Sequence, residues 1–469
     1  MTGRIALVVA VGCGGTAELP GSPPPARPPA AQLTASTLQP GADLEGPIAQ
    51  PARRERRAKA ESPPVDLVAD RAIVHVDVPP IPRGAAAALA LADDRDGWVA
   101  RIPDAVQLPA AAYGDGKLYV SGGFESSRFY ALDAETGRVA WASTELNDPG
   151  PTAAVYDDGR VIFNTESCTM FALDARSGKT LWSQRIGSVT LAQTAVAGGL
   201  VFAAHPSDQN PATTGPYELS AYRVRDGVQV WTRSITQELL AAPVIAGDSV
   251  YATTADGSTY RLRRATGALV WSEALGATTA PWIAGDELYV TRARRGKEQQ
   301  IVVSAATGKV IAEQRESAGA YAWDVPTTTT DAKALWAFEG SRPVVDRGVR
   351  YVAMGGEIHA MVASTGEPLW QRRYAGNVAT RSIGSVAFAG SEVVVATRDG
   401  KLFGLDVDTG YTLWSYDIGH RVIAEPVVAK GWIYATTEDG YVVALHVADA
   451  TLDGWHMFGG NAKHAGSST

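Results

Sequence analysis

The sequence predicts an all-β fold, an eight-bladed β-propeller of four-stranded antiparallel blades whose ring is closed by an N-terminal strand in the last blade. Three observations predict it. A turn phrase, fullest in LDAETG (Leu132–Gly137), recurs along the 469 residues with its glycine at Gly137, Gly178, Gly227, Gly267, Gly308, Gly366 and Gly410, a period that belongs to propellers and solenoids. Four residues after each glycine stands a tryptophan, at Trp141, Trp182, Trp231, Trp271, Trp370 and Trp414, with Ala312 in the fifth copy instead. Upstream of each phrase lie two short alternating apolar runs, as in VVVATRDGKLFGLDVDTG (Val393–Gly410), which read as paired strands.

The turns follow from the residues between those runs. Asp256-Gly257, Asp399-Gly400 and Asp439-Gly440 suit a two-residue hairpin turn, which needs positive φ, so their carboxylates belong to turns and not to catalysis. In the Thr-Gly phrase the glycine takes the left-handed conformation, and the hydroxyl or carboxylate before it can bond nearby amides. Gly122-Gly123, Gly198-Gly199 and Gly355-Gly356 open no helix and read as hairpin or bulge glycines, not phosphate loops. A single sheet of about forty residues cannot bury both faces, so successive sheets must pack face to face, and a ring removes the unpaired ends of the stack.

Closure requires one displaced strand. WVARI (Trp98–Ile102) precedes the first full repeat and has no hairpin of its own, while the last repeat, Glu425–Val447, has no Thr-Gly-tryptophan ending. Pairing the two makes Trp98–Ile102 the outer strand of the last sheet and brings the count to eight. The alternative ends the last blade at Trp455 and leaves Trp98 without a sheet. The expected organisation is a signal peptide at 1–12, a Pro/Ala-rich tether at 13–64, an unassigned connection at 65–94, the propeller at 95–454 and a tail at 455–469. In the connection, RAIVHVDV alternates like a strand and GAAAALALADD looks helical.

Composition narrows the function classes. With 45% apolar and 20% charged residues and a net charge of -8, the chain builds large cores and lacks the basic footprint of a nucleic-acid binder. The apolar run Ile5–Val11 ahead of Gly12 and Cys13 reads as a short export signal. PGSPPPARPPA (Pro20–Ala30) is too proline-rich for a core, and RRERRAK (Arg53–Lys59) reads as a solvated charge run. Cys168, the other thiol, has no partner for an intrachain disulfide and is expected to be a small apolar filler at a turn. The seven histidines show no HxxxH or HxH spacing, and no serine sits in a nucleophile elbow.

Ala10-Val11-Gly12-Cys13 resembles a bacterial lipobox, which implies lipidation of Cys13, and Gly14 after it implies an outer-membrane destination. The aspartate, Thr-Gly and tryptophan phrase resembles the docking repeat of the quinoprotein (PQQ)-like β-propellers over about Gly97–Val447. That resemblance implies that Trp141, Trp182, Trp231, Trp271, Trp370 and Trp414 stack between neighbouring blades, with Trp98 completing the set, and that the fifth blade is closed differently. WHMFGGNAKHAG (Trp455–Gly466) is also similar to a segment found beside these repeats.

Alcohol and glucose dehydrogenases of this fold hold pyrroloquinoline quinone and calcium in the central funnel, and many alcohol-oxidising members carry two adjacent cysteines there. This chain has neither the cysteine pair nor a recognisable calcium loop, so no cofactor and no metal are expected. The combination of exported tether and repeat ring is similar to the outer-membrane lipoprotein scaffolds of the β-barrel assembly machinery. It implies a noncatalytic, monomeric protein-interaction scaffold at the cell envelope, anchored by lipid, facing the periplasm and serving an envelope protein complex. The alternatives are a quinone-dependent dehydrogenase or an envelope propeller that binds a ligand or polysaccharide. Candidate partner-binding residues are two basic runs, Arg261, Arg263 and Arg264 and then Arg292, Arg294 and Arg295, read as one rim for an acidic loop, and two anchors, Trp323 and Trp336, in the long insertion Glu316–Gly340.

Overall fold

A computed structural model describes residues 64–464, apart from 92–94, 104–106, 124–125, 145, 188–191, 208–216, 295–296, 317–343, 355, 376–382 and 385. Cys13, the tether, Arg295, Trp323 and Trp336 lie outside the described residues. All elements described are strands, in eight antiparallel blades. Blades 1 to 7 occupy residues 112–142, 155–185, 195–235, 244–274, 282–316, 344–373 and 387–417. Blade 8 takes three strands from 427–446 and its fourth, Asp96–Arg101, from the N-terminal side, with Ala444 opposite Trp98. Among the described residues no helix is long and apolar enough to cross a membrane.

Each blade meanders outward from a three-residue strand on the axis. Its middle strands, such as Val161–Phe163 and Met170–Leu173 in blade 2, are buried on both faces, so they read as unbroken apolar runs. The core therefore lies between blades, where Phe129, Phe163 and Phe171 stack with centroids 4.5 and 5.6 Å apart. One face of the ring carries the turns between first and second strands together with the Thr-Gly turns. The opposite face, here the loop face, carries the second-to-third-strand turns and the connections between blades.

The hairpins differ from expectation in one respect. The tight two-residue turns with both residues at positive φ join the first two strands, at Asp115-Gly116, Asp158-Gly159, Gly198-Gly199, Arg347-Gly348 and Lys430-Gly431. In the second-to-third-strand turns at Asp256-Gly257, Asp399-Gly400 and Asp439-Gly440 only the glycine is left-handed, and the aspartate accepts the hydroxyl of the threonine two residues earlier, as Asp256 does from Thr254 at 2.6 Å. Cys168 fills that glycine position in blade 2, buried and at φ 64°.

Docking is uniform at six of the eight junctions. The indole N–H donates across the seam to a carbonyl in the next blade's Thr-Gly turn: Trp98 to Ala134 at 2.9 Å, Trp141 to Ala175 at 3.0 Å, Trp182 to Val224 at 2.8 Å, Trp231 to Arg264 at 2.8 Å, Trp271 to Ala305 at 2.9 Å and Trp370 to Val407 at 2.9 Å. Each ring lies under the turn glycine, so that a Cβ at Gly137 would run into Trp98. Trp414 departs from this set. It packs over Gly404 of its own blade and donates to Glu392 at 2.7 Å, because blade 8 borrows its outer strand and has no Thr-Gly turn to receive an indole.

The connection 65–94 is not a linker. It runs along the outside of the ring as a strap, adding Val65–Asp66 to the edge of blade 6, Val74–His75 to blade 7 and Ala86–Ala90 to blade 8. Asp96–Arg101 is thus the fourth strand of blade 8 but not its outermost. The alanine-rich stretch is extended because pairing with Asp96–Arg101 outweighs helix propensity. Asp70 pins the strap, pairing with Arg372 of blade 6 at 2.9 Å and accepting the Thr412 amide of blade 7 at 3.1 Å.

The tail fills the axis. Trp455 exchanges two backbone hydrogen bonds with Val428 on the innermost strand of blade 8. The carbonyls of His456, Ala462 and Lys463 accept amides from the innermost strands of blades 1, 3 and 4, at Tyr113, Val196 and Ile245. Phe458, at the bend, packs among Ala110, Ala153 and Ala242, which lie in the connections that lead into blades 1, 2 and 4. Trp455 therefore lies on the inner edge of blade 8, not on its outer one.

Trp98 joins the two ends of the ring, so Trp98→Ala should cost about 3–5 kcal/mol of unfolding free energy without altering the blades themselves. Urea unfolding followed by circular dichroism checks the magnitude.

Candidate functional site

The loop face gathers the ionisable groups that the turns project. The connection out of blade 1 pairs with the second-to-third-strand turn of blade 2, through Glu166 N–H to Gly150 O at 3.2 Å, and this brings Asp148 beside Glu166. The Ser167 hydroxyl donates to Asp148. Burial, with the Asp148 carboxylate next to it, pushes the Glu166 carboxyl up to about 7. Over the neighbouring blades 7 and 8, Arg421 pairs with Glu438 at 2.9 Å, and burial beside Arg421 lowers the Arg398 pKa. The face brings the carboxyls of Asp148 and Glu166 together over blades 1 and 2 and carries Arg398 and Arg421 with Glu438 over blades 7 and 8.

The axis below this face admits no flat cofactor at the level of Phe458, because three alanines close on that ring. A quinone of the kind this fold class holds does not fit there. Among the described residues no group of three or more His, Cys, Asp or Glu side chains stands placed to hold a metal. Among the described residues a Ser–His contact joins His205 Nε2 to Ser220 Oγ at 2.9 Å. Both residues are buried within blade 3, and the histidine Nδ1 faces the Pro206 carbonyl at 2.9 Å in place of a carboxylate, so the pair lacks both substrate access and an orienting acid.

The two basic runs do not form one rim. Arg263 pairs with Ser249 at the tight-turn end of blade 4, whereas Arg294 pairs with Lys297 at the loop-face end of blade 5, so the runs lie on opposite faces. Arg261 is spent inside the seam, bonding Ser249 and the Ala305 carbonyl at 2.9 and 2.8 Å. Arg264 faces Asp248 at 3.5 Å, and Arg292 pairs with Glu313 at 2.6 Å. Arg263 is exposed. Strand direction decides this arrangement, and neighbouring positions along a charge pattern do not reveal it.

A different surface is open. The outer strands of blades 2 to 5 present Leu181, Val228, Val230, Leu269 and Ile311, the last 55% exposed. Those of blades 7 and 8 are overlaid by the strap along their paired length. An uncovered strand edge with apolar side chains is a template for pairing with another chain.

A model of the family described as outer membrane protein assembly factor BamB matches residues 82–314, 298–446 and 377–469, which takes in every blade. The chain belongs to the BamB family. BamB of Yersinia pestis is 25% identical over 244 residues, which is 50% of this chain and 56% of that relative. The chain thus spans about half the length of the curated relatives it matches. In structure it is similar to BamB from Moraxella catarrhalis, with TM-score 0.54, 19% identity and coverage of 74% of this chain and 96% of that one. Quinohemoprotein alcohol dehydrogenase from Comamonas testosteroni is similar to the same degree, with TM-score 0.56, 14% identity and coverage of 76% of each chain. At these identities the two structures share the ring alone with this BamB-family chain.

Glu166 gives this face a pH signature. Unfolded, a glutamate titrates near about 4.3; folded, this one titrates near 7. Between those values the folded chain holds a proton that the unfolded chain releases, so the group's contribution to stability falls as pH rises through the window. Glu166→Gln should therefore gain stability over the parent at pH 8 and match it at pH 4, as urea midpoints at the two pH values would show.

Proposed function

We propose that this chain is a noncatalytic protein-interaction scaffold at the cell envelope, serving the assembly of outer-membrane β-barrel proteins. The observation that carries the scaffold reading is the distribution of free and filled surface. The axis, where a propeller enzyme of this class holds its cofactor, is filled by the chain's own tail, while the outer edges of blades 2 to 5 expose apolar side chains. Rings filled at the centre and open at the rim bind other proteins and not small substrates. The assembly role is inferred from the BamB family and its named relatives. Lipidation of Cys13, a periplasm-facing outer-membrane location and a monomeric ring belong to the same proposal. Lipidation and location rest on the lipobox-like Ala10-Val11-Gly12-Cys13, and the monomeric ring on blades that close within one chain.

Affinity isolation of the tagged full chain from gently solubilised membranes tests the reading. Recovery of a barrel-assembly complex supports it, and a clean monomer overturns it. Titration with pyrroloquinoline quinone and calcium should give no spectral change and no dye-linked alcohol oxidation; either signal would restore the dehydrogenase alternative.

A further inference from the structure

The junction between blades 5 and 6 lacks the indole, because Ala312 stands where the others carry tryptophan. Arg350, on the second strand of blade 6, reaches into this seam. Its Cζ lies 5.7 Å from the centre of the Tyr289 ring of blade 5. The residue is 0% exposed. Its Nη2 meets the sulfur of Met361, directly across the strand pair, while Nε and Nη1 are buried with no hydrogen-bond partner among the described residues. Tyr289 turns its hydroxyl to Glu287 and so offers Arg350 only its ring face. Trp282 sits opposite Tyr289 on the neighbouring strand, is 2% exposed, and its indole N–H is also without a partner among the described residues.

The unmet groups of Arg350 and Trp282 are all donors, and the guanidinium carries a full positive charge; Gln300 Oε1, farther along the same face of blade 5, is an unmet acceptor but is neutral. A buried guanidinium without an opposing charge is strongly destabilising, and a ring face offsets only part of that. Water accepts hydrogen bonds but brings no charge, so it leaves the guanidinium uncompensated. We propose that the blade 5–blade 6 seam binds a small monovalent anion of chloride size through the N–H groups of Arg350 and Trp282. The anion takes over the work that the docking indole performs at six other seams, neutralising Arg350 and tying its blade to blade 5. Burial lowers the Arg350 pKa to about 10, which leaves the guanidinium charged at neutral pH.

Thermal unfolding of the full chain at constant ionic strength tests the site, with chloride or bromide exchanged against gluconate, which is too large to enter. The expected result is a saturable rise in Tm of about 2–4 °C with chloride, lost in Arg350→Met and reached only at higher chloride in Trp282→Phe. Saturation separates binding from general salt effects, which grow without limit. Equal Tm in chloride and gluconate, or an undiminished response in Arg350→Met, overturns the proposal. Should Arg350→Met fail to fold, Trp282→Phe decides alone: an unshifted chloride midpoint overturns it. Crystals soaked in bromide should show an anomalous peak beside Arg350, and its absence at saturating bromide counts equally against the site.

Discussion

The indole-to-turn contact between neighbouring blades is the interaction on which the ring depends. It meets two demands with one side chain. The flat apolar ring fills the gap that two twisted sheets leave at their outer corner, and its single N–H finds a carbonyl across the seam, so that a large aromatic is buried without an orphaned polar group. The contact needs a glycine above it, because any Cβ at Gly137, Gly178 or Gly410 would enter the ring below. The Thr-Gly phrase and the tryptophan are therefore two halves of one joint, contributed by different blades. The joint points the same way around the ring at each seam that has it.

Where the joint is missing, the chain uses other means. Between blades 7 and 8, Trp414 turns inward to Glu392, and the strap crosses this seam on the outside, burying its own Val76 against the ring. Between blades 6 and 7 the strap reinforces an indole joint already in place, through Asp70 and the buried Leu67. Between blades 5 and 6 neither device is available, and a buried arginine on an aromatic face stands in. The irregular seams are thus the informative ones, since each shows which physical requirement the repeat ordinarily meets: volume, hydrogen-bond satisfaction or lateral support.

Periodicity made the blades legible in the sequence. Glycine, hydroxyl and tryptophan at fixed offsets follow from local turn geometry and nearest-neighbour packing, both of which a repeat displays openly. The displaced strand at Trp98 was legible for the same reason, as an orphan half of a known joint. What could not be read lay in non-repeating segments. Ala86–Ala90 carries a helical composition, and only the sheet edge beside it makes it a strand. The tail from Trp455 has no periodicity, so nothing local announces that it threads the axis. The separation of Arg263 from Arg294 onto opposite faces depends on strand direction, and the charges of Glu166 and Arg350 depend on burial, which sequence position does not encode.

The borrowed strand of blade 8 has a consequence for the order in which the molecule can be made. A ribosome delivers Asp96–Arg101 first and its pairing partner Tyr441–His446 some 340 residues later, and the axial segment that touches blades 1, 3 and 4 later still. Until then blade 1 has no Trp98 sheet to rest on and the strap has no edges to join. Early blades can form locally, but the circle is joined only through Tyr441–His446 and the axial segment that follows it. The ring therefore closes only once the eighth blade has been synthesised.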